Sequence, residues 1–329
     1  MMDKVKIGVV GAGFIGQVHL EILSTFPDVQ IVGVVDVEKG RAKAVAERFS
    51  AKVYDSLKQM REAGVEAVYI TSPNRTHFDY AMQALELGFN VFCEKPMTIS
   101  LKDAMELERK VKEKSVVFQV GHNRRFAYVY KFMKQKIEEG LVKPLSFQIK
   151  MNRGELLNPP WTSDRNYTGG FLFESTIHLF DMVRWLFGEI EEMYVLGKKS
   201  VYPDIDDWAI AMRLKNGLIG TFTSCAHASW MIPFERVEVY GEHNMLMNEE
   251  MEKVHFCKGL GKEVESHDFM KVDFKEKWGY VEENRLFIDC VKEKKTPPVT
   301  VCDGVAVIRI IDACYKAVES GNAHVRMEG

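Results

Sequence analysis

The sequence predicts two domains: an α/β domain with a doubly wound parallel sheet over residues 1–123, and an α+β domain with an antiparallel or mixed, mostly antiparallel sheet over residues 124–329. Three observations support this. The first third of the chain alternates short buried runs with amphipathic helices, the pattern of successive βαβ units. Its first run ends in a glycine-rich turn, Gly11-Ala12-Gly13-Phe14-Ile15-Gly16. Beyond Gly140 the pattern changes to strands joined by tight turns such as Lys215-Asn216-Gly217, and Asn-Gly between apolar runs marks a hairpin. At 329 residues the chain also exceeds what one ordinary core fills.

Val5–Val10 reads as a buried strand interrupted only by Lys6 and Gly8. The helix after it carries Ile15, Val18, Ile22, Leu23 and Phe26 on one face and stops at Pro27. The three glycines have separate duties in a dinucleotide site. Gly11 allows the tight turn, Gly13 lets backbone approach a pyrophosphate, and Gly16 lets helix and strand pack closely. The helix N-terminus, with Phe14 and Ile15 in its first turn, then offers N–H groups to the phosphates. A second buried strand, Gln30–Val35, ends in Asp36, where an acid binds the ribose hydroxyls of adenosine. Asp36 repels a 2′-phosphate, so NAD is expected rather than NADP; Arg41 is near enough to soften that preference.

The alternation continues through helices at about 39–49 and 56–64 and a short strand at 52–54. A strand at Ala67–Ile70 runs into Thr71-Ser72-Pro73-Asn74, and one at Asn90–Cys93 runs into Glu94-Lys95-Pro96. Ligands of doubly wound sheets lie outside the carboxyl ends of the strands, so Ser72, Pro73, Asn74, Glu94 and Lys95 are expected to border the nicotinamide half of the cofactor. Proline biases Lys95 toward extended backbone and so aims its amine. An ordinary surface ion pair is the competing reading. His77, just past the first turn, and Asn123, where the domains join, complete the expected cofactor set, with plain packing or hydrogen bonding as their alternatives. Ser100 and Asp103 cap the next helix, and Val116–Val120 closes the sheet.

In the second domain a helix at about Tyr128–Glu139 precedes strands at Ser146–Asn152, Met193–Lys198, Trp208–Leu214, Ile219–Ala228 and Arg236–Tyr240, with weaker ones between Lys253 and Phe274. Two helices, about Tyr280–Lys292 and Asp303–Glu319, close the chain. A polar loop, Arg153–Thr168, contains Pro159-Pro160-Trp161; after Gly169-Gly170 a helix runs to Phe187. On that helix Glu174, His178 and Asp181 share one face at i, i+4 and i+7. The stripe is either solvated or lines a site. In the second case Glu174 orients the imidazole of His178, which then serves as a general base.

Composition excludes several classes. A net charge of -3 with no basic block argues against a nucleic-acid partner. No apolar run approaches the ~20 residues that span a bilayer. The chain enters a strand within a few residues of its start, leaving no room for a secretion signal, and its six scattered cysteines suit a reducing compartment, so a cytoplasmic location is expected. Neither the cysteines nor the histidines have metal-ligand spacing, and no metal is expected.

The glycine turn, Asp36, Glu94-Lys95-Pro96 and the Gly169–Gly188 helix segment together resemble the glucose–fructose oxidoreductase / inositol dehydrogenase / rhizopine catabolism (Gfo/Idh/MocA) family, over essentially the whole chain. The resemblance implies NAD(P)-linked oxidation of a sugar or polyol hydroxyl, or reduction of the ketone, with Lys95 and His178 as the acid–base pair facing the carbon that exchanges hydride. It implies an N-terminal Rossmann domain, a C-terminal domain built on a large open sheet, a Lys95–Pro96 peptide that is often cis, and a homodimer or homotetramer built through that sheet. Arg153 and Trp161 join Lys95, Glu174 and His178 as expected substrate contacts. Two departures stand out: Glu174 replaces a frequent Asp, and Leu179 stands where inositol dehydrogenases usually carry an Asp, which points away from inositol itself. Some relatives hydrolyse glycosides or epimerise sugars with the same cofactor, and a few are sugar-sensing regulators that have lost the lysine.

Overall fold

Six apolar runs of the sequence lie side by side as one parallel sheet in the computed structural model, which describes residues 4–229, 231–321 and 323–327. They are β1 (Val5–Val10), β2 (Val29–Val35), β3 (Lys52–Val53), β4 (Ala67–Ile70), β5 (Asn90–Glu94) and β6 (Phe118–Gly121), in the order β3-β2-β1-β4-β5-β6. Every pairing among them is parallel. The helices between them are α1 (Phe14–Ser24), α2 (Lys39–Arg48), α3 (Leu57–Glu62), α4 (His77–Glu86) and α5 (Leu101–Glu113). Ser56 and Ser100 cap α3 and α5 by accepting from the N–H groups of Gln59 and Asp103. Strand order reverses between β1 and β4, and a crevice opens at the carboxyl ends of the strands at such a reversal.

This sheet belongs to one of two compact units, Met1–His122 with Tyr280–Ile308; the other is Asn123–Gly279 with Arg309–Gly329. The helix Tyr280–Glu293 thus packs with the parallel sheet rather than with the residues that precede it. Its Phe287 enters an aromatic cluster, edge-on to Tyr69 of β4 and Phe92 of β5, which stack on each other at 4.8 Å. Its Arg285 and, beside it, Lys292 hold the buried carboxylate of Asp28, just before β2.

The second unit is organised on a nine-stranded sheet of β7 (Ser146–Asn152), β8 (Ile190–Lys198), β9 (Asp207–Leu214), β10 (Ile219–Cys225), β11 (Glu235–Tyr240), β12 (Met245–Glu249), β13 (Lys253–Cys257), β14 (Val264–Asp268) and β15 (His324–Arg326). Its order is β14-β13-β12-β11-β7-β10-β9-β8-β15. Only β7 and β10 pair in parallel; the other neighbours are antiparallel. Side chains of β9 and β10 alternate between buried and exposed along their length, as a sheet covered on one face requires. The helices of this unit include α6 (Tyr128–Glu138), the one-turn α7 (Arg165–Thr168) and α8 (Ile177–Phe187). Phe187 of α8 stacks on Phe147 of β7 at 4.6 Å, and Phe180 meets Phe222 of β10 edge-on.

Local differences from the sequence reading have simple causes. β12 and β15 were not expected: β15 is a three-residue edge strand, and β12 mixes Met, Leu and Asn without a clean alternation. The last of the weaker strands ends at Asp268, because Asp273 caps a single helical turn at Phe274–Lys277. The segment before α8 is a turn of π-helix, Leu172–Thr176, rather than α-helix.

Candidate active site

The three glycines of the turn after β1 differ in what surrounds them. Gly11 sits at φ +95°, and a Cβ there would strike the backbone of Ser72. A Cβ on Gly16 would strike the carbonyl oxygen of Gly11 and approach Thr71 Oγ1 to 2.7 Å. Gly13, at the N-cap of α1, is different: a Cβ there would meet nothing within 4 Å, and no side chain caps the helix. Open space in front of an uncapped helix N-terminus is what an approaching pyrophosphate needs. Phe14 projects outward at 78% exposure and Ile15 is half-buried, so both bring backbone N–H groups to this end.

Asp36, just past the end of β2, accepts four hydrogen bonds. Its Oδ2 accepts from the Ala12 N–H (2.7 Å) and Arg41 Nε (2.9 Å); its Oδ1 accepts from the Glu38 N–H (2.8 Å) and Arg41 Nη2 (2.7 Å). Burial raises its pKa, but the Arg41 guanidinium and the two N–H groups more than offset this and hold it below the usual carboxylate range. The sequence placed Asp36 and Arg41 near the adenosine ribose; the structure joins them as one bidentate pair.

At the carboxyl ends of β4 and β5, Thr71 Oγ1 donates to the Gly11 carbonyl at 2.6 Å, and Ser72 Oγ accepts from Thr76 Oγ1 at 2.7 Å. Pro73 is exposed, Asn74 is buried in a short 3-10 turn, and His77 is buried at the start of α4. The Lys95–Pro96 peptide is cis. Glu94 turns inward rather than toward the crevice: His19 Nε2 lies 3.1 Å from its Oε1, and the Lys95 N–H donates to its Oε2 at 3.0 Å. Burial raises the Glu94 pKa, and His19 outweighs it to hold the carboxyl below its ordinary value. Lys95 itself is half-buried. His19 is a residue the sequence reading missed. Its signal was a polar side chain on the buried stripe of α1, beside Val18 and Ile22.

In the second unit, Gly169 and Gly170 have φ of +87° and +108°, and a Cβ on Gly170 would run into the Tyr315 hydroxyl. The π-turn that follows carries Glu174 and Ser175, and His178, 6% exposed, stands in the first turn of α8. π-turns concentrate at functional sites because they redirect side chains within a helix. Arg153, at the end of β7, reaches this turn: Nη1 donates to Ser175 Oγ at 3.1 Å and lies 3.6 Å from Glu174 Oε1, and Nε donates to the Glu155 carbonyl. Trp161 is half-buried with its ring stacked on Tyr167. Asp181 leaves the stripe: it is wholly buried and paired with Arg125. Asn123 donates from its amide to the Trp278 carbonyl at 2.9 Å. Among the described residues no group of His, Cys, Asp or Glu could hold a metal ion, and no helix is long and apolar enough to cross a membrane.

Comparison with known proteins agrees with this geometry. Residues 5–122 match the family described as "Oxidoreductase family, NAD-binding Rossmann fold", and residues 134–327 match its "C-terminal alpha/beta domain". The chain belongs to the Gfo/Idh/MocA oxidoreductase family. Within it, the chain is 28% identical to the myo-inositol 2-dehydrogenase of Thermotoga maritima, over 95% of this chain and 96% of that one. It is 29% identical to the scyllo-inositol 2-dehydrogenase (NAD(+)) of Bacillus subtilis, over 98% and 96%. A levoglucosan dehydrogenase solved with NADH and L-sorbose shares the fold with a TM-score of 0.90 at 19% identity, covering 99% of this chain and all of that one. NAD is the cofactor of this Gfo/Idh/MocA member, and the open cradle at Gly13 fits its pyrophosphate.

Proposed function

We propose that the protein is an NAD-dependent dehydrogenase that exchanges hydride with a CH–OH carbon of a sugar or polyol, using Lys95 and His178 as its acid–base pair. The observation that carries the reading is the placement of Lys95. It stands at the carboxyl end of β5, on the same edge of the parallel sheet as the glycine turn of β1, in a turn fixed by buried contacts. A half-buried amine at that edge of a dinucleotide domain is placed for chemistry at the nicotinamide end. The names of the two inositol dehydrogenases compared above, which match along nearly the whole chain, support the substrate class.

Bound NAD supplies a ring that takes up or returns hydride. The backbone of Gly11–Gly16 holds the phosphates, Asp36 takes the ribose hydroxyls and disfavours a 2′-phosphate, and Ser72, Pro73, Asn74 and Asn123 frame the remainder. His178 accepts the hydroxyl proton, and Lys95 polarises the oxygen it leaves. Glu174 and Arg153 form the polar wall beside His178, and Trp161 offers a ring to the face of a sugar. Groups positioned in this way contribute roughly 10²–10⁴-fold each.

The outer face of the nine-stranded sheet exposes Tyr194, Leu196 and Ile219, around a depression of ≈ 380 Å³ lined by small residues such as Ala209, Ala211, Thr221 and Thr223. We assign this face to pairing with further copies of the chain, as a homodimer or homotetramer. All six cysteines are free thiols, which suits a cytoplasmic location. The test is a panel of polyols, aldoses and uronates with NAD and with NADP, followed at the NADH absorbance band. Turnover with NADH formation on one class supports the reading. Substrate consumption without NADH formation contradicts it in favour of hydrolysis or epimerisation, and binding without turnover contradicts it in favour of a sensor.

A further inference from the structure

Ser175 and Thr176 are adjacent hydroxyls of the π-turn, and each is tied to the nine-stranded sheet. Arg153, just past the end of β7, donates from Nη1 to Ser175 Oγ. Thr176 Oγ1 lies 2.9 Å from Ser224 Oγ of β10, and Ser224 donates its own proton to the Met151 carbonyl of β7. A hydroxyl has one proton, so toward Thr176 the Ser224 oxygen accepts and Thr176 donates. Thr176 and Ser224 are both buried, and the chain of bonds runs away from water. Four residues on from Thr176, Phe180 meets Phe222 edge-on, and Phe222 lies two residues before Ser224 on the same buried face of β10. One helical turn advances about 5.4 Å and two strand residues about 6.6 Å, so the two contacts stand one after the other along β10. His178 falls midway between these anchors in the chain and about 200° round the helix from either, which turns its ring away from β10.

We propose that Thr176 is a positioning residue for His178: its bond to Ser224 fixes the rotation of α8 where the helix leaves the π-turn, and with it the direction of the His178 imidazole. A π-turn takes in more chain per hydrogen bond than an α-turn, so the register in which α8 begins is a choice the turn has to make. A slip of one residue swings every side chain by about 100°. Ile177, Leu179, Phe180 and Val183 are all buried, so burial of apolar surface alone discriminates weakly between registers. A hydroxyl with one acceptor does discriminate, because a slipped helix leaves the buried Thr176 donor unpaired. The effect on turnover rests on the acid–base reading of His178; the pin itself is a property of the second unit alone.

Three variants of the full chain test this. Thr176→Val keeps the shape of the side chain and removes the donor, Ser224→Ala removes the acceptor, and Thr176→Ser keeps the bond. In the first two, amide hydrogen exchange over residues 172–178 is expected to quicken roughly 2- to 10-fold, the worth of one net hydrogen bond, while Thr176→Ser stays near wild type. Unchanged exchange in both overturns the proposal. This readout needs no substrate, so it decides the pin even if His178→Ala turns over like wild type and the acid–base reading fails. In Thr176→Val, kcat on the substrate found by the panel is expected to fall roughly 10- to 100-fold with the NADH dissociation constant within about twofold of wild type, and Thr176→Ser is expected to recover most of the loss. Ser224→Ala carries the same readouts should Thr176→Val fail to fold. Added to His178→Ala, Thr176→Val is expected to cost less than about twofold more in kcat, since it acts through an imidazole already removed. Wild-type kcat in Thr176→Val while His178→Ala is slow, or a full further loss in the double variant, overturns the proposal.

Discussion

Arg125 and Asp181 form a buried two-point ion pair, Nε to Oδ2 at 2.8 Å and Nη2 to Oδ1 at 2.6 Å, three residues along α8 from His178. Both side chains are nearly withdrawn from water, at 9% and 0% exposure. The pair therefore ties the segment that begins the second unit to the helix that carries the proposed base. Removing one partner leaves an uncompensated buried charge, which costs about 3–5 kcal/mol. Asp181→Ala is expected to lose that much in urea denaturation. The double variant Arg125→Met/Asp181→Leu is expected to recover most of it, since a well-packed apolar pair of similar volume is often neutral.

The glycines of the cradle separate stability from binding. Gly16→Ala collides with the carbonyl of Gly11, so it is expected to lower the melting temperature and abolish NADH binding together. Gly13→Ala meets no neighbour within 4 Å. It is expected to melt like wild type while weakening NADH binding about tenfold or more, because the methyl group would stand where the pyrophosphate is proposed to approach. Thermal melts beside fluorescence titrations with NADH check both.

The Asp36–Arg41 pair predicts a cofactor switch. Asp36→Ser removes the carboxylate proposed to meet the ribose and releases the Arg41 guanidinium, which is then expected to bind a 2′-phosphate. Hydrogen bonds to charged groups are worth about 1.5–3 kcal/mol, so the ratio of NADPH to NADH affinity is expected to rise roughly 10- to 100-fold. Titration of wild type and variant with both nucleotides measures it.

Asp28 gives a pH-dependent stability. Hydrogen bonds from Arg285, and then from Lys292, hold its pKa well below the carboxylate range in the folded chain. Its folded pKa lies under the unfolded value of about 3.9, so the stabilisation is present above that pH and is lost as pH falls below it. Solvent reaches the outer parts of Arg285 and Lys292, so Asp28→Asn is expected to cost only about 1–2 kcal/mol at neutral pH. Urea titrations of the two chains are expected to converge below about pH 4.

Much of this architecture was legible in the residues, because the parallel sheet and the glycine turn depend on local pattern. Ala67–Ile70 and Asn90–Cys93 read as buried strands, and they are buried on both faces. The antiparallel character of the second sheet followed from alternation and from the Asn216-Gly217 turn, though its strands β12 and β15 did not. What escaped was non-local. Nothing in the amphipathic pattern of Tyr280–Glu293 says that Phe287 packs against Tyr69 and Phe92. The spacing of Glu174, His178 and Asp181 on a regular helix could not disclose a π-turn at 172–176, nor that Arg153 and Arg125 meet its two acids, Glu174 and Asp181. Glu94 read as a cleft-facing partner of Lys95, whereas its oxygens face His19 and backbone.

The acid–base assignment is tested most directly by single-turnover measurement of Lys95→Ala and His178→Ala with saturating NAD and the substrate identified by the panel. Each is expected to lower the hydride-transfer rate roughly 10²–10⁴-fold while NADH binding stays close to wild type. Wild-type rates in both variants would contradict the account.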